Sequence, residues 1–357
     1  NWFFNQWYFN SGHPQLEISY DFNKLRKTVT VNIIQNQDYE FKFPFAIDVF
    51  EGSKRTRHTV FVESKEASFT FPFTKQPDLI QVNANAVLLC DINENKILSD
   101  YIHQLKYAES YMHKKEALLE VAKRQQDDTK AFDAIANAMN DEFYKIRILA
   151  LENINLVNKN SKKREIEAIK QIANNDSKTL VQAAAIETLG KLTDPELKSV
   201  FEKGLTSKSY AVLGKSLVGM YYVDKTLAIA KSKTLPDAVK KIIATPLTRI
   251  YLEENDDDEL TFIASNVMSG MYLSQNKKIQ TLYKKAYEKI AKSNNTAAIK
   301  NLADDIVSKG IQYKQYNFDK VGINLLRQVV QKQKEANKPN KNNNIEVVKI
   351  AMAKLLE

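Results

Sequence analysis

Near Ile97 the apolar side chains of this chain change their repeat, and that change limits the fold more than any other feature. Before it, from Gln15 to about Lys96, hydrophobic residues alternate with polar ones. Leu16, Ile18 and Tyr20 begin the pattern, and Val29, Val31 and Ile33 repeat it. Phe41, Phe43, Phe45, Ile47 and Val49 form the longest run. His58, Val60 and Val62 follow, then Phe69, Phe71 and Phe73, Ile80 and Val82, and Val87 and Leu89. A period of two places one side of each strand on a core and leaves the other wet. About seven short strands, joined by segments such as Glu51-Gly52-Ser53 and Asn93-Glu94-Asn95, predict a β-sandwich. Pro44 and Pro72 cannot donate to a ladder, so both belong at edges or bulges.

After Ile97 the spacing is helical to the C-terminus, with segments expected over 98–124, 128–139, 142–157, 162–174, 178–192, 195–205 and 207–223 and onward. Asn174-Asn175-Asp176, Thr193-Asp194-Pro195 and the acidic Asn255-Asp256-Asp257-Asp258 interrupt them. These helices repeat. Residues 177–194 align on 207–224 at an offset of 30, and 144–157 align on 179–192 at an offset of 35. Small residues inside them (Ala183, Ala184, Ala185, Gly190, Gly214, Gly219) allow close helix approach. Stacked helical pairs require that, and the pattern predicts an all-α, HEAT-like α-α superhelix; an irregular helical bundle is the alternative. The polar stretch 336–344 is expected to be a loop before a terminal helix at 345–357.

The composition, 43% hydrophobic and 27% charged, is that of an ordinary globular protein. No apolar run approaches the roughly 20 residues of a membrane-spanning helix, so no membrane span is expected. A net charge of +9 invites a nucleic-acid reading, but only eight of the 52 basic residues are arginines. The lysines are scattered among acids, and no binding motif occurs, so nucleic acid is not an expected partner. Cys90 permits no internal disulfide and lies in the apolar run Val87-Leu88-Leu89-Cys90, which predicts a buried structural thiol.

Catalytic chemistry is sparse. The four histidines are His13, His58, His103 and His113. "HKKEA" (113–117) approaches a zinc motif until Ala117 stands where a second histidine is needed, leaving His113 and Glu116 as an exposed polar helix end. His103, ten residues before His113, could share its helix face. His58 alternates with apolar residues and is expected to pack across strands. "EENDDDE" (253–259) lacks the glycine-containing spacing of a calcium loop and predicts a solvated turn. No nucleophile elbow, phosphate-binding loop or dinucleotide fingerprint appears, and nine glycines leave little for one. On the residues alone the chain is not expected to be an enzyme, and no catalytic, cofactor-binding or metal-ligating residue is expected in it.

The opening stretch remains. Trp2, Phe3, Phe4, Trp7, Tyr8 and Phe9 suit a short helix buried on much of its circumference, and Gly12 and Pro14 stop it. That helix with Trp7, the turn Gly12-His13-Pro14 and the strand Leu16-Glu17-Ile18-Ser19 resemble a junction in M1-family zinc aminopeptidases, where the catalytic domain's last helix meets a β-sandwich. His13 stands where an aromatic residue is common. The stretch 71–89, in which Pro77 precedes the closing strands, resembles the end of that sandwich.

The resemblance implies three parts: residues 1–10 as a terminal helix left from the catalytic domain, 11–96 as the β-sandwich domain, and 97–357 as the HEAT-like α-helical domain. It implies a parent that removes N-terminal residues from peptides with a zinc held by H-E-x-x-H and a downstream glutamate, beside a G-x-M-E-N segment. None of these maps here, since "GMYY" (219–222) and "GMYL" (270–273) lack the Glu-Asn pair. Zinc is therefore expected in the parent and no cofactor in this chain. The implied partners are the missing catalytic domain and, in the parent, a peptide substrate whose C-terminal carboxylate scattered lysines attract. The helical domain would cap the catalytic domain and enclose the substrate cavity. Self-association through the helix at 1–10 is expected where that partner is missing. Two other readings stand beside this one: a catalytically inactive M1-like scaffold, as in the resembling subunit of the general transcription machinery, and an unrelated sandwich-plus-solenoid binding protein for carbohydrate or a partner protein. Compartment stays open among cytoplasm, periplasm and secretion.

Overall fold

A computed structural model describes residues 2–156, 163–254 and 257–356. After a short helix α1 (Trp2–Trp7), seven strands follow: β1 (Gln15–Asn23), β2 (Thr28–Gln35), β3 (Phe43–Glu51), β4 (Lys54–Val62), β5 (Glu66–Pro72), β6 (Leu79–Val82) and β7 (Asp91–Glu94). They form a four-stranded sheet, β5-β2-β1-β7, and a three-stranded sheet, β4-β3-β6. All pairings are antiparallel except β1 with β7. The inward residues of both sheets make one core, with Val29, Val31, Ile47 and Val62 at 1% exposure or less. The sandwich expected from the alternation is present.

Particular residues depart from the pattern. The last expected strand, at Val87 and Leu89, is a loop with both side chains exposed, and β7 instead occupies Asp91–Glu94, where a linker was expected. Asn83 holds that loop, its side chain donating to the Leu88 carbonyl and accepting from the Leu88 amide. Pro72 ends the edge strand β5, as required. Pro44 lies in the middle strand of its sheet, yet β6 pairs only with Ile47–Phe50, so Pro44 has a neighbour on one side alone. The two-residue turn between β3 and β4 uses Gly52 at φ +63°, a backbone that a side chain would strain.

Helices follow β7: α2 (Leu98–Tyr107), α3 (Tyr111–Ala122), α4 (Thr129–Ala138), α5 (Tyr144–Asn153) and α6 (Lys163–Asn175). Then come α7 (Thr179–Gly190), α8 (Lys198–Gly204), α9 (Tyr210–Val223), α10 (Lys225–Lys233), α11 (Asp237–Ile242) and α12 (Ala244–Glu253). The series ends with α13 (Asp257–Ala264), α14 (Lys277–Ala291), α15 (Thr296–Gln312), α16 (Phe318–Ala336) and α17 (Lys341–Leu356). The helix expected over 98–124 is two, because Ser110 caps α3 by accepting from the Met112 amide while Ala108 is extended. The final residue of the segment expected over 142–157, the first of that expected over 162–174, Asn255 and Asp256, and the first and last residues of the sequence lie outside the described residues.

The chain divides into two compact units, Asn1–Ile169 and Lys170–Glu357. In the first, α2 lies on β6 and reaches the outer side of β3 at Phe50, whose ring is 5.6 Å from that of His103. Ala46, Asp48 and Phe50, on the side expected to be wet, are also buried. In the second unit α7 and α9, the segments that align at an offset of 30, pack side by side. A Cβ on Gly190 would lie 3.4 Å from the Cα of Gly219, so the small residues serve close approach as expected. The architecture is a small all-β sandwich followed by an all-α HEAT-like region.

The stretch 336–344 packs more than its polarity suggests. α17 begins at Lys341, and Asn344 is fully buried, donating to the Gln333 side chain and the Ser293 carbonyl. Satisfied amides can be buried at modest cost, which polarity counting does not register.

One carboxylate in the second unit makes stability depend on pH. Asp305 accepts the Met268 amide at 2.8 Å, just before a π-helical turn at Ser269–Leu273, and burial pushes its carboxyl up to about 6. The folded chain therefore holds this proton more tightly than the unfolded chain, and the charged form opposes folding above about pH 6. Asp305→Asn, which keeps an acceptor for Met268, is expected to stabilise the protein by about 1–2 kcal/mol at pH 7 after allowance for partial exposure. The advantage should fade as pH falls from about 6 towards 4 and the wild-type carboxyl protonates. Thermal melts of both proteins across that range check this, and a pH-independent difference would refute it.

Candidate functional site

The histidines do not converge. His13 reaches Asp91 at 2.9 Å and ties the first turn to β7. His58 stacks on Phe71 of the opposite sheet with ring centroids 4.2 Å apart, the packing role its alternation predicts. His103 packs between Phe50 and Tyr107. His113 is 9% exposed, not part of an exposed polar helix end, and burial lowers its pKa. The Gln104 amide bridges its carbonyl and the Glu116 carboxylate. Among the described residues no three of His, Cys, Asp and Glu cluster as metal ligands. The 253–259 segment falls partly outside the described residues. Cys90 is partly exposed rather than buried, and burial with the neighbouring Asp91 charge pushes its thiol up to about 11. At neutral pH it is protonated and a poor nucleophile. Among the described residues no helix is long and apolar enough to cross a membrane.

What stands out instead is an aromatic face on the first unit. The helix expected to be buried is six residues long, and only Gln6 is inside. The Gln6 side-chain amide donates to the Lys42 carbonyl at 2.9 Å and accepts the Lys42 amide at 2.7 Å, copying a strand ladder. Trp7 packs on Phe41, 5.1 Å between centroids, and Trp2 stands edge-on to Phe61 at 5.9 Å. So anchored, the helix presents Trp2, Phe3 and Phe4 about half exposed, and the turn after it leaves Tyr8 and Phe9 at 76%. The aromatic spacing is visible in the sequence, but the anchor is not, because a lone glutamine among aromatics carries no signal of main-chain pairing.

Beneath α2 and α3 lies a polar junction. Asp48, 3% exposed, receives Nε and Nη2 of Arg57 at 2.7 Å each. Arg55 extends the group to Glu109, in the turn between α2 and α3. Nearby, Lys96 and Glu94 pair at 2.5 Å with side chains 3% and 8% exposed, and the Tyr20 hydroxyl donates to Glu94. Of these contacts, Arg55–Glu109 ties the turn between the first helices to the sandwich.

Comparison with known proteins bears on the fold. No family model matches the chain, and no curated protein matches it. Among solved structures, aminopeptidase A of Legionella pneumophila, determined with aspartic acid, matches 99% of this chain at 12% identity and a TM-score of 0.51. This chain spans half the length of that protein. At such identity the likeness is one of fold. The CpcE–CpcF complex of phycocyanin lyase from Nostoc covers 74% of the chain and 96% of its own at 14% identity and a TM-score of 0.39. A HEAT-like repeat protein from Thermococcus onnurineus covers 73% and 100% at 13% identity and 0.31. Those scores carry no argument.

Proposed function

We propose that this chain acts as the non-catalytic C-terminal part of an M1-like zinc aminopeptidase. On this reading its helical region caps a catalytic domain and walls the chamber in which peptides lose their N-terminal residues. The observation that carries the reading is the fold match along 99% of the chain to half of an aminopeptidase. The aromatic face of α1 supports it, because five large apolar side chains held out by Gln6 and Trp7 suit a surface covered by another body. A catalytic domain is that body in the longer protein; a second copy replaces it when the chain stands alone.

Zinc chemistry needs three protein ligands and a water whose pKa falls to about 7. The ligands belong to the proposed partner domain, not to these residues. The test compares the 357-residue chain with the full product of its reading frame. The chain alone should neither retain zinc through dialysis nor release amino acids from aminoacyl substrates. The full product should do both, and its upstream sequence should contain H-E-x-x-H. Sedimentation of the chain alone should show self-association that Trp2→Ser combined with Phe9→Ser removes. Stoichiometric zinc in the isolated chain, or a full product without the ligands, would overturn the proposal; the second result would turn it towards an inactive scaffold.

A further inference from the structure

Within the second unit a cavity of about 360 Å³ opens between α7, α9 and α12, a volume in the range of small-molecule sites. Its floor is bare backbone where Gly190 and Gly219 approach, extended by Val218 and Pro246. Among its lining residues Lys191, Lys215 and Arg249 face one acid, Glu187, and Lys215 is paired with that acid at 2.6 Å. Arg249 differs: it is half-buried and makes neither an ion pair nor a hydrogen bond among the described residues. The C-terminal carbonyls of α7 contribute about half a negative charge nearby, which the basic excess outweighs. Its guanidinium fork is therefore open to an anion, which it can hold by two parallel charge-assisted hydrogen bonds.

The lip of the cavity carries a second irregularity. Thr193 has φ +50°, a left-handed backbone that a β-branched residue seldom adopts. Such strain gathers at binding sites, where the surroundings hold it in place.

We propose that this cavity binds a small organic carboxylate with a flat apolar body. The carboxylate meets the Arg249 guanidinium, and the body lies on the Gly190–Gly219 floor. The site is independent of the peptidase reading and stands whether or not a zinc domain exists. The probe is 3-phenylpropionate, titrated into the chain at low salt and followed by calorimetry and by amide chemical shifts.

Saturable binding is expected, with shifts centred on α7, α9 and α12. The neutral analogue 3-phenylpropionamide and the Arg249→Gln variant should each weaken it about tenfold, the scale of one charge-assisted contact. Inorganic phosphate, which has charge and no apolar body, should compete poorly. Thermal melts of the variant establish that it is folded, and the acid–amide contrast in the unaltered protein needs no variant. Equal binding of acid and amide, effective competition by phosphate, or no saturation would overturn the proposal.

Discussion

Gly219→Ala is expected to destabilise the second unit by about 3 kcal/mol, although alanine normally improves a helix interior by about 1 kcal/mol. Gly219 lies inside α9 and faces Phe201 of α8. An added Cβ would sit 2.5 and 2.6 Å from two carbons of that ring. Phe201 is 0% exposed and cannot swing clear without displacing its neighbours. The cost therefore reflects overpacking, and the reversed sign makes the test diagnostic. Helical circular dichroism in urea reads it, since both tryptophans, Trp2 and Trp7, lie in the first unit. Phe201→Leu in the Gly219→Ala background should recover part of the loss through coupling between the two sites. A neutral or stabilised Gly219→Ala protein would show that α8 and α9 do not meet as described.

Arg57→Ala should have an effect of similar size, about 3 kcal/mol, on the first unit. The Arg57 fork supplies both close hydrogen bonds to Asp48, while Arg55 approaches only to 3.9 Å. Removing the arginine leaves a carboxylate with a 4% exposed side chain nearly uncompensated, and that penalty dominates the loss of the pair itself. The Arg57 side chain is 37% exposed, which places the figure at the lower end of values for buried pairs. Asp48→Asn in the Arg57→Ala background should restore much of the stability, because a neutral amide is cheaper to bury. Tryptophan fluorescence during urea unfolding reports this unit. A loss below about 1 kcal/mol would mean that the pair behaves as an exposed one.

These sites show where sequence reasoning succeeds and where it stops. Phe41 to Val49 announces its strand by alternation, and the core side chains Phe43, Phe45, Ile47 and Val49 are all inside. Phe50 and Asp48 lie on the other side of the same strand and are also inside, Phe50 against His103 of α2 and Asp48 beneath Arg57. No local pattern says which strand a later helix will cover. Gly219 is similar: its smallness predicts close approach, but not that Phe201 fills the space. The aromatic run of α1 is visible in the sequence, whereas its attachment through Gln6 to Lys42 depends on two segments 36 residues apart.

The cavity beside Arg249 was not legible at all. Its floor and rim come from three helices separated by loops, and an arginine with no ion pair among the described residues looks in sequence like any other surface arginine. Thr193 marked only a break between helices, since backbone strain leaves no trace in residue type.

By itself the sequence determined the two periods, hence a sandwich followed by repeating helices. Those properties follow from side-chain type and local geometry, which a linear reading contains. Tertiary structure alone decided which wet faces become buried, which polar groups meet and where a cavity opens. Each depends on distances between segments remote in the chain, and packing, rather than local preference, sets them.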